Sequence, residues 1–179
     1  MSQNTCPILQ TVLTHLNMQE NSKIRAIIVT VSDSRTAEND SSGDALIELL
    51  EEIDAEVIEK IIVSDDFDNL RQTLYVLTER ADVNLIVTTG GTGFSRRDNT
   101  PEATRAVIEK EAQGIAEAMR FETLKKTPMA MLSRGVCGIR GQVLIINLPG
   151  SPKGVRECFE VIKTVLPHAV NLISGNSGH

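Results

Sequence analysis

Asp98 follows a glycine-rich turn, Gly90-Gly91-Thr92-Gly93, which itself follows the apolar run Leu85-Ile86-Val87-Thr88-Thr89. Glycines lack the Cβ that holds a backbone away from a ligand, so several N–H groups of such a turn can point at phosphate oxygens. Asp65 supplies a second carboxylate directly after another apolar run. Mg²⁺ takes one or two carboxylates together with substrate phosphates and water, so these aspartates beside a phosphate cradle suit metal-assisted phosphoryl or nucleotidyl transfer. Helix capping competes as the reading of each, and Asp66, next in the chain, is placed to cap a helix. Two familiar phosphate loops are excluded. A Walker loop needs Gly-Lys-Ser/Thr, whereas Gly93 leads into Phe94-Ser95-Arg96. The dinucleotide fingerprint fails because Arg96 stands where its third glycine belongs.

Positive charge for phosphates is available from Arg96, Arg97 and Lys153, although exposed turn bases are usually only solvated. Ser133 and Arg134 lie in an irregular segment where a hydroxyl and a guanidinium could hold an anionic ligand. His15, His168 and His179 are scattered, with no spacing that suggests a metal cluster, a general base or a triad with Ser133. Cys6, Cys137 and Cys158 are odd in number and widely spaced, which suits reduced thiols in a cytosol-like compartment.

These groups need a scaffold, and the apolar patterning supplies one. Ile24 to Val31 is a near-continuous β-branched run and reads as a strand buried on both faces. It ends in Ser32-Asp33, at the carboxyl end of a strand, where open α/β sheets bind ligands. Ser41 to Ile53 reads as a helix capped by Ser41 or Ser42, with Leu46, Leu49, Leu50 and Ile53 on one face. Glu56 to Val63 predicts a second strand, followed by a helix with Phe67, Leu70, Leu74 and Leu77 inward. After the central strand and turn, Thr100 reads as an N-cap and Pro101 to Lys125 as a helix broken at Gly114. Short strand material around Val136 to Arg140 precedes the strong strand Gln142 to Leu148. The turn Pro149-Gly150-Ser151-Pro152-Lys153-Gly154 then opens a last helix, which Pro167 can kink. Strands alternating with helices imply right-handed crossovers and a mostly parallel sheet flanked by helices, an α/β three-layer sandwich. Four polar turns then gather at one sheet edge: those of Asp33, Asp65, Gly90 to Asp98, and Gly150 to Lys153.

The chain of 179 residues is of single-domain size, with a net charge of −6, no Trp and few aromatics. The acidic balance argues against a nucleic-acid surface, so an anionic substrate must be met by local donors. No apolar run approaches the ~18 residues of a membrane span. Residues 1–22 are polar with scattered apolar positions and read as a flexible leader before a domain over 23–179.

Thr88-Thr89-Gly90-Gly91-Thr92-Gly93, Arg97-Asp98, Thr100-Pro101-Glu102, Met131-Leu132-Ser133-Arg134, Gly138-Ile139-Arg140-Gly141 and Ile146-Asn147-Leu148-Pro149-Gly150-Ser151 occur in this order. Together with Ser32-Asp33 and Asp65 they resemble the molybdopterin-binding family of MogA, MoaB and the gephyrin G domain, over about residues 24 to 173. The resemblance implies transfer of AMP from Mg-ATP to molybdopterin. Asp65 and Asp98 would be the catalytic and metal-holding pair. Ser32, Asp33, Gly90, Gly91, Thr92, Gly93, Glu102, Ser133, Arg134, Asn147, Pro149, Gly150, Ser151 and Lys153 would be substrate- or nucleotide-binding positions. It also implies a homotrimer, a molybdenum-insertase partner and a cytoplasmic location. Two further readings remain within the same resemblance: a gephyrin-like anchoring module and a MoaB-like protein that binds the pterin without this activity. The chain departs from the family pattern at Ser64, Asn99, Ser151 to Gly154 and the loop from Ser34 to Asp40.

Overall fold

The computed structural model describes residues 23–175, so the expected leader over 1–22 lies outside the described residues. The most apolar strands form the middle of a six-stranded sheet. β1 (Arg25–Val31), β3 (Leu85–Thr89) and β6 (Val143–Leu148) are buried along almost their whole length, as strands covered on both faces must be. β2 (Glu56–Val63) is half-buried and takes an edge. The order is β2-β1-β3-β6-β5-β4, where β4 is Lys110–Glu111 and β5 is Cys137–Arg140. The first four strands in this order are parallel; at the far edge β5 runs antiparallel to β6, and β4 antiparallel to β5.

Alternate side chains divide between two cores. On one face, Ile28, Val87, Leu144 and Ile146 meet α1 (Ser41–Glu51), α4 (Gln113–Leu124), α5 (Pro152–Ile162) and α6 (Leu166–Ile173). On the other, Ile27, Val29, Ile86 and Ile145 meet α2 (Phe67–Thr78) and α3 (Thr100–Arg105). The result is the three-layer α/β sandwich that the alternation of elements implies.

Several boundaries differ from the sequence reading, each for a local reason. α1 is capped by Asp40, not by Ser41 or Ser42, because the Asp40 carboxylate reaches the Gly43 N–H at 3.0 Å. Thr100 is the first residue of α3 and caps nothing; its hydroxyl donates instead to the Gly90 carbonyl at 2.9 Å. The expected helix from Pro101 to Lys125 breaks before Gly114. Pairing with β5 takes its backbone: Glu109 N–H donates to Ile139 O and Ala112 N–H to Cys137 O, both at 2.8 Å. Tertiary pairing has overridden local propensity there. The last helix divides at Lys163–Val165, and Pro167 falls in the first turn of α6 rather than kinking a continuous helix.

Register sets the site. Val31 is level with Val63, Thr30 with Thr89, and Thr89 with Leu148. The residues after four parallel strands therefore leave the sheet side by side at its carboxyl edge: Ser64-Asp65, Ser32-Asp33, Gly90-Gly91 and Pro149-Gly150. Phe159 of α5 is fully buried in the larger core. Phe159→Ala is expected to lower stability by about 3–5 kcal/mol, read from urea unfolding.

Candidate active site

The central turn is held by backbone contacts too close for any side chain. Gly90 has φ +104°, and a Cβ there would lie 2.3 Å from the Val31 carbonyl oxygen. Gly91 has φ +61°, and a Cβ there would meet Thr100 Oγ1 at 2.3 Å and Asp65 Oδ1 at 3.4 Å. Both positions need glycine for conformation as well as for space. Thr89 Oγ1 donates to Pro149 O at 2.7 Å and Gly90 N–H to Leu148 O at 3.2 Å, which locks the β3 turn to the β6 turn.

Asp33 and Asp65 face each other across the β1 and β2 ends. Asp33 N–H donates to Asp65 Oδ2 at 3.0 Å, and Asp65 N–H donates back to Asp33 Oδ1 at 3.2 Å. Arg97 from the glycine-turn loop pairs with Asp33 at 2.5 Å. Asp98 Oδ2 accepts from Ser95 N–H at 2.8 Å and lies where a Cβ on Gly93 would come within 2.9 Å. One carboxylate thus hangs over Gly91 and the other over Gly93. The Asp65 carboxyl is pushed above its ordinary value, first by burial and then by the charges of Asp33 and Asp98, against the Asp33 N–H and Arg97. Neighbouring anions raise the carboxyl between them, although among the described residues no three acidic, histidine or cysteine side chains gather closely enough to form a metal cluster by themselves.

Beside the carboxylates lies a cavity of about 400 Å³. The turns Gly91–Gly93 and Pro149–Ser151, with Asp98, line one side, and α4 and α5 wall the other through Ala116, Met119, Gly154 and Cys158. Ser133 and Asn147 also line it. The Asn147 amide is already engaged: its NH₂ donates to Thr88 Oγ1 and Thr104 Oγ1, and its oxygen accepts from Val136 N–H. It therefore positions β6, β3 and α3 around the cavity.

Arg134 differs most from the sequence reading. Its guanidinium clamps the glycine turn, donating to Gly93 O at 2.7 Å and Asp98 O at 2.6 Å and pairing with Glu102. Glu102 is accordingly the counter-ion of this clamp. Lys153 is exposed in the first turn of α5 and does not line the cavity, and Arg96 is exposed on the loop before Asp98. Ser32 is a structural anchor as well, its hydroxyl accepting from Ser34 N–H and Arg35 N–H.

Two residues that sequence reasoning passed over hold the loop after β1. Asp40 is fully buried and accepts from Thr30 Oγ1 at 2.6 Å, from Gly43 N–H and from Arg35 Nη1. Burial acts to raise its carboxyl, yet these donors and Lys60 prevail and hold it below the usual carboxylate range. Arg35 then reaches on to the Gly150 carbonyl at 2.6 Å, tying the β1 loop to the β6 turn. The available signal was an Asp three residues before a glycine at a helix entry, which is cap spacing.

The raised Asp65 carboxyl has a consequence for stability. Ionising a group whose folded value lies above its unfolded one opposes folding. The penalty is absent below the unfolded value near 3.8 and grows as pH rises through the folded value. Asp65→Asn keeps an acceptor for the Asp33 N–H and is expected to melt above the parent protein at pH 7. The difference should vanish when the melts are repeated well below pH 3.8.

Residues 27–168 match the family described as "Probable molybdopterin binding domain". The chain is 43% identical over 153 residues to a molybdopterin adenylyltransferase of Helicobacter pylori strain J99, covering 83% of this chain and 87% of the relative. It is 47% identical over 150 residues to the molybdenum cofactor synthesis protein cinnamon of Drosophila melanogaster, covering 82% of this chain but only 25% of that much longer protein. Among solved structures it is similar to the molybdopterin biosynthesis enzyme MoaB from Thermus thermophilus. The TM-score is 0.78 and the identity 46%, with 85% of this chain and 97% of that one covered. With the family matched across most of its length and its motifs gathered on one sheet edge, the chain belongs to the molybdopterin-binding domain family of molybdenum cofactor biosynthesis.

Proposed function

We propose that this chain adenylylates molybdopterin, joining the terminal phosphate of the pterin to the α-phosphate of ATP. The observation that carries the reading is the placing of Asp65 and Asp98 over a glycine turn, with Asp33 bonded to Asp65, beside a cavity of about 400 Å³. The name of the Helicobacter pylori relative supports it.

In this reaction a phosphate oxygen of the pterin forms a bond to the α-phosphorus, and the bond from that phosphorus to the β-phosphate oxygen breaks. Pyrophosphate leaves with the electron pair. The attacking phosphate is largely dianionic near pH 7, its second pKa being about 6, so no general base is needed and no histidine is called for. The barrier is the approach of anion to anion. The Gly91–Gly93 and Gly150–Ser151 turns present backbone to the phosphates and hold the two reactants in line. Asp65 and Asp98 are the residues that would hold Mg²⁺, which when bound neutralises phosphate charge. Arg97 balances Asp33 beside them. Arg134 acts through the turn it clamps and touches no reacting atom.

The reading carries its companions with it: Mg²⁺ and ATP, a homotrimer, a cytoplasmic setting and hand-over to a molybdenum-insertase partner. The buried thiols Cys137 and Cys158, pushed up to about 12 and about 11 chiefly by burial, fit a reducing compartment. An anchoring module that binds the pterin without reacting it would have no need of an Asp65 carboxylate set against the charges of Asp33 and Asp98.

Pyrophosphate release from Mg-ATP on adding freshly prepared molybdopterin tests the proposal. Asp98→Asn should lower the rate by roughly a hundredfold or more, with the circular dichroism spectrum unchanged. Equal turnover in variant and parent would remove Asp98 from the chemistry.

A further inference from the structure

Glu157 is a carboxylate on the cavity wall with nothing to hold it. It lies on α5, half-buried, and lines the cavity between α4 and α5. Among the described residues its carboxylate makes no hydrogen bond or ion pair. Its nearer charged neighbours on α5 are engaged elsewhere or turned to solvent: Arg156 pairs with Glu48 and Glu160 with Lys163, each at 2.6 Å, and Lys153, one turn earlier, is exposed and makes no ion pair with it. A carboxylate in a cleft with no protein partner keeps both oxygens open to donors on a ligand. Ala116, Met119 and Cys158 give the surrounding wall its apolar part, and Arg120, which also lines the cavity, donates to the Gly135 carbonyl at 2.8 Å and makes no ion pair with Glu157.

The position along the helix identifies what it would meet. Ser151 caps α5 next to the phosphate-facing turn, and Glu157 lies six residues further on, about 9 Å along the axis at 1.5 Å per residue. That is the arrangement for a fused heterocycle whose phosphate arm ends at the glycine turns. A carboxylate pairs best with two adjacent N–H donors. The 2-amino-4-oxo pyrimidine edge of a pterin offers such a pair, from N2 and N3. Adenine offers one N–H beside a ring-nitrogen lone pair, which repels a carboxylate.

We propose that Glu157 is the specificity-determining residue for the pterin, its two carboxylate oxygens accepting from N2–H and N3–H while Ala116 and Met119 pack on the ring. This assignment rests on the adenylyltransferase reading and deepens it. The cavity side bearing Glu157 is then the pterin side, and ATP lies toward Asp65 and Arg97.

Fluorescence titration with 6-hydroxymethylpterin phosphate and with its 2,4-dioxo counterpart tests the proposal. The 2,4-dioxo ring puts a carbonyl oxygen where the pterin has its amino group. The parent protein should prefer the pterin, and Glu157→Gln should weaken pterin binding roughly tenfold or more. The variant should also lose the preference between the two rings, because a Gln amide can donate to the carbonyl. Mg-ATP affinity should stay unchanged. Glu157→Asp keeps the acceptor pair and should retain the preference, which separates recognition from a packing defect. A Glu157→Gln variant that keeps the parent's ring preference, or that loses ATP and not pterin, overturns the assignment of Glu157 alone. A parent protein that binds neither ring and releases no pyrophosphate overturns the underlying reading as well.

Discussion

The approach of the Gly90-Gly91 backbone to its neighbours is the contact on which the sheet edge depends. Gly90 presses on the Val31 carbonyl, Gly91 on the Thr100 hydroxyl, and Gly150 in turn lies against Gly90. Three strand ends and one helix start are thereby drawn to within a single backbone thickness of each other. Any Cβ at Gly90 or Gly91 would force them apart and move Asp65, whose carboxylate overhangs Gly91, relative to Asp98, which overhangs Gly93. The carboxylate spacing is therefore a property of the turn, and the turn is fixed by the register of β1, β3 and β6.

Two kinds of carboxylate stand close together here and are treated in opposite ways. Asp40 is buried and surrounded by donors, so its charge stabilises the fold, and that contribution is lost only in acid. Asp65 is exposed to its own kind, and its charge opposes the fold at neutral pH. The first organises the loop after β1 and, through Arg35, the Gly150 turn; the second is the proposed cation ligand. A protein that keeps an opposed carboxylate at a glycine turn gives up some stability there for what the site binds.

Much of this was legible in the chain because strand ends are local features. Leu85 to Thr89 followed by glycines, and Val63 followed by Ser64-Asp65, place their polar groups at one sheet edge as soon as the strands are parallel. What escaped the sequence reading depended on distant partners. Arg134 looks like an anion binder until Gly93 and Asp98, far off in sequence, supply the carbonyls that absorb its guanidinium. Arg35 finds Gly150 across 115 positions. The helix after Pro101 ends early because β5 claims the backbone of Glu109 and Ala112. Glu157 gave no signal at all, since its distinguishing property is the lack of a partner in space.

On the reading proposed above, this sheet edge moves an adenylyl group onto a pterin phosphate. The most direct measurement is the fate of label from ATP carrying ³²P at the α-phosphate, incubated with Mg²⁺, molybdopterin and the purified protein. Label recovered in a pterin-containing product, with unlabelled pyrophosphate formed alongside, is the predicted result. Label that remains in ATP while the pterin is tightly bound, or that appears only in free AMP, would contradict it.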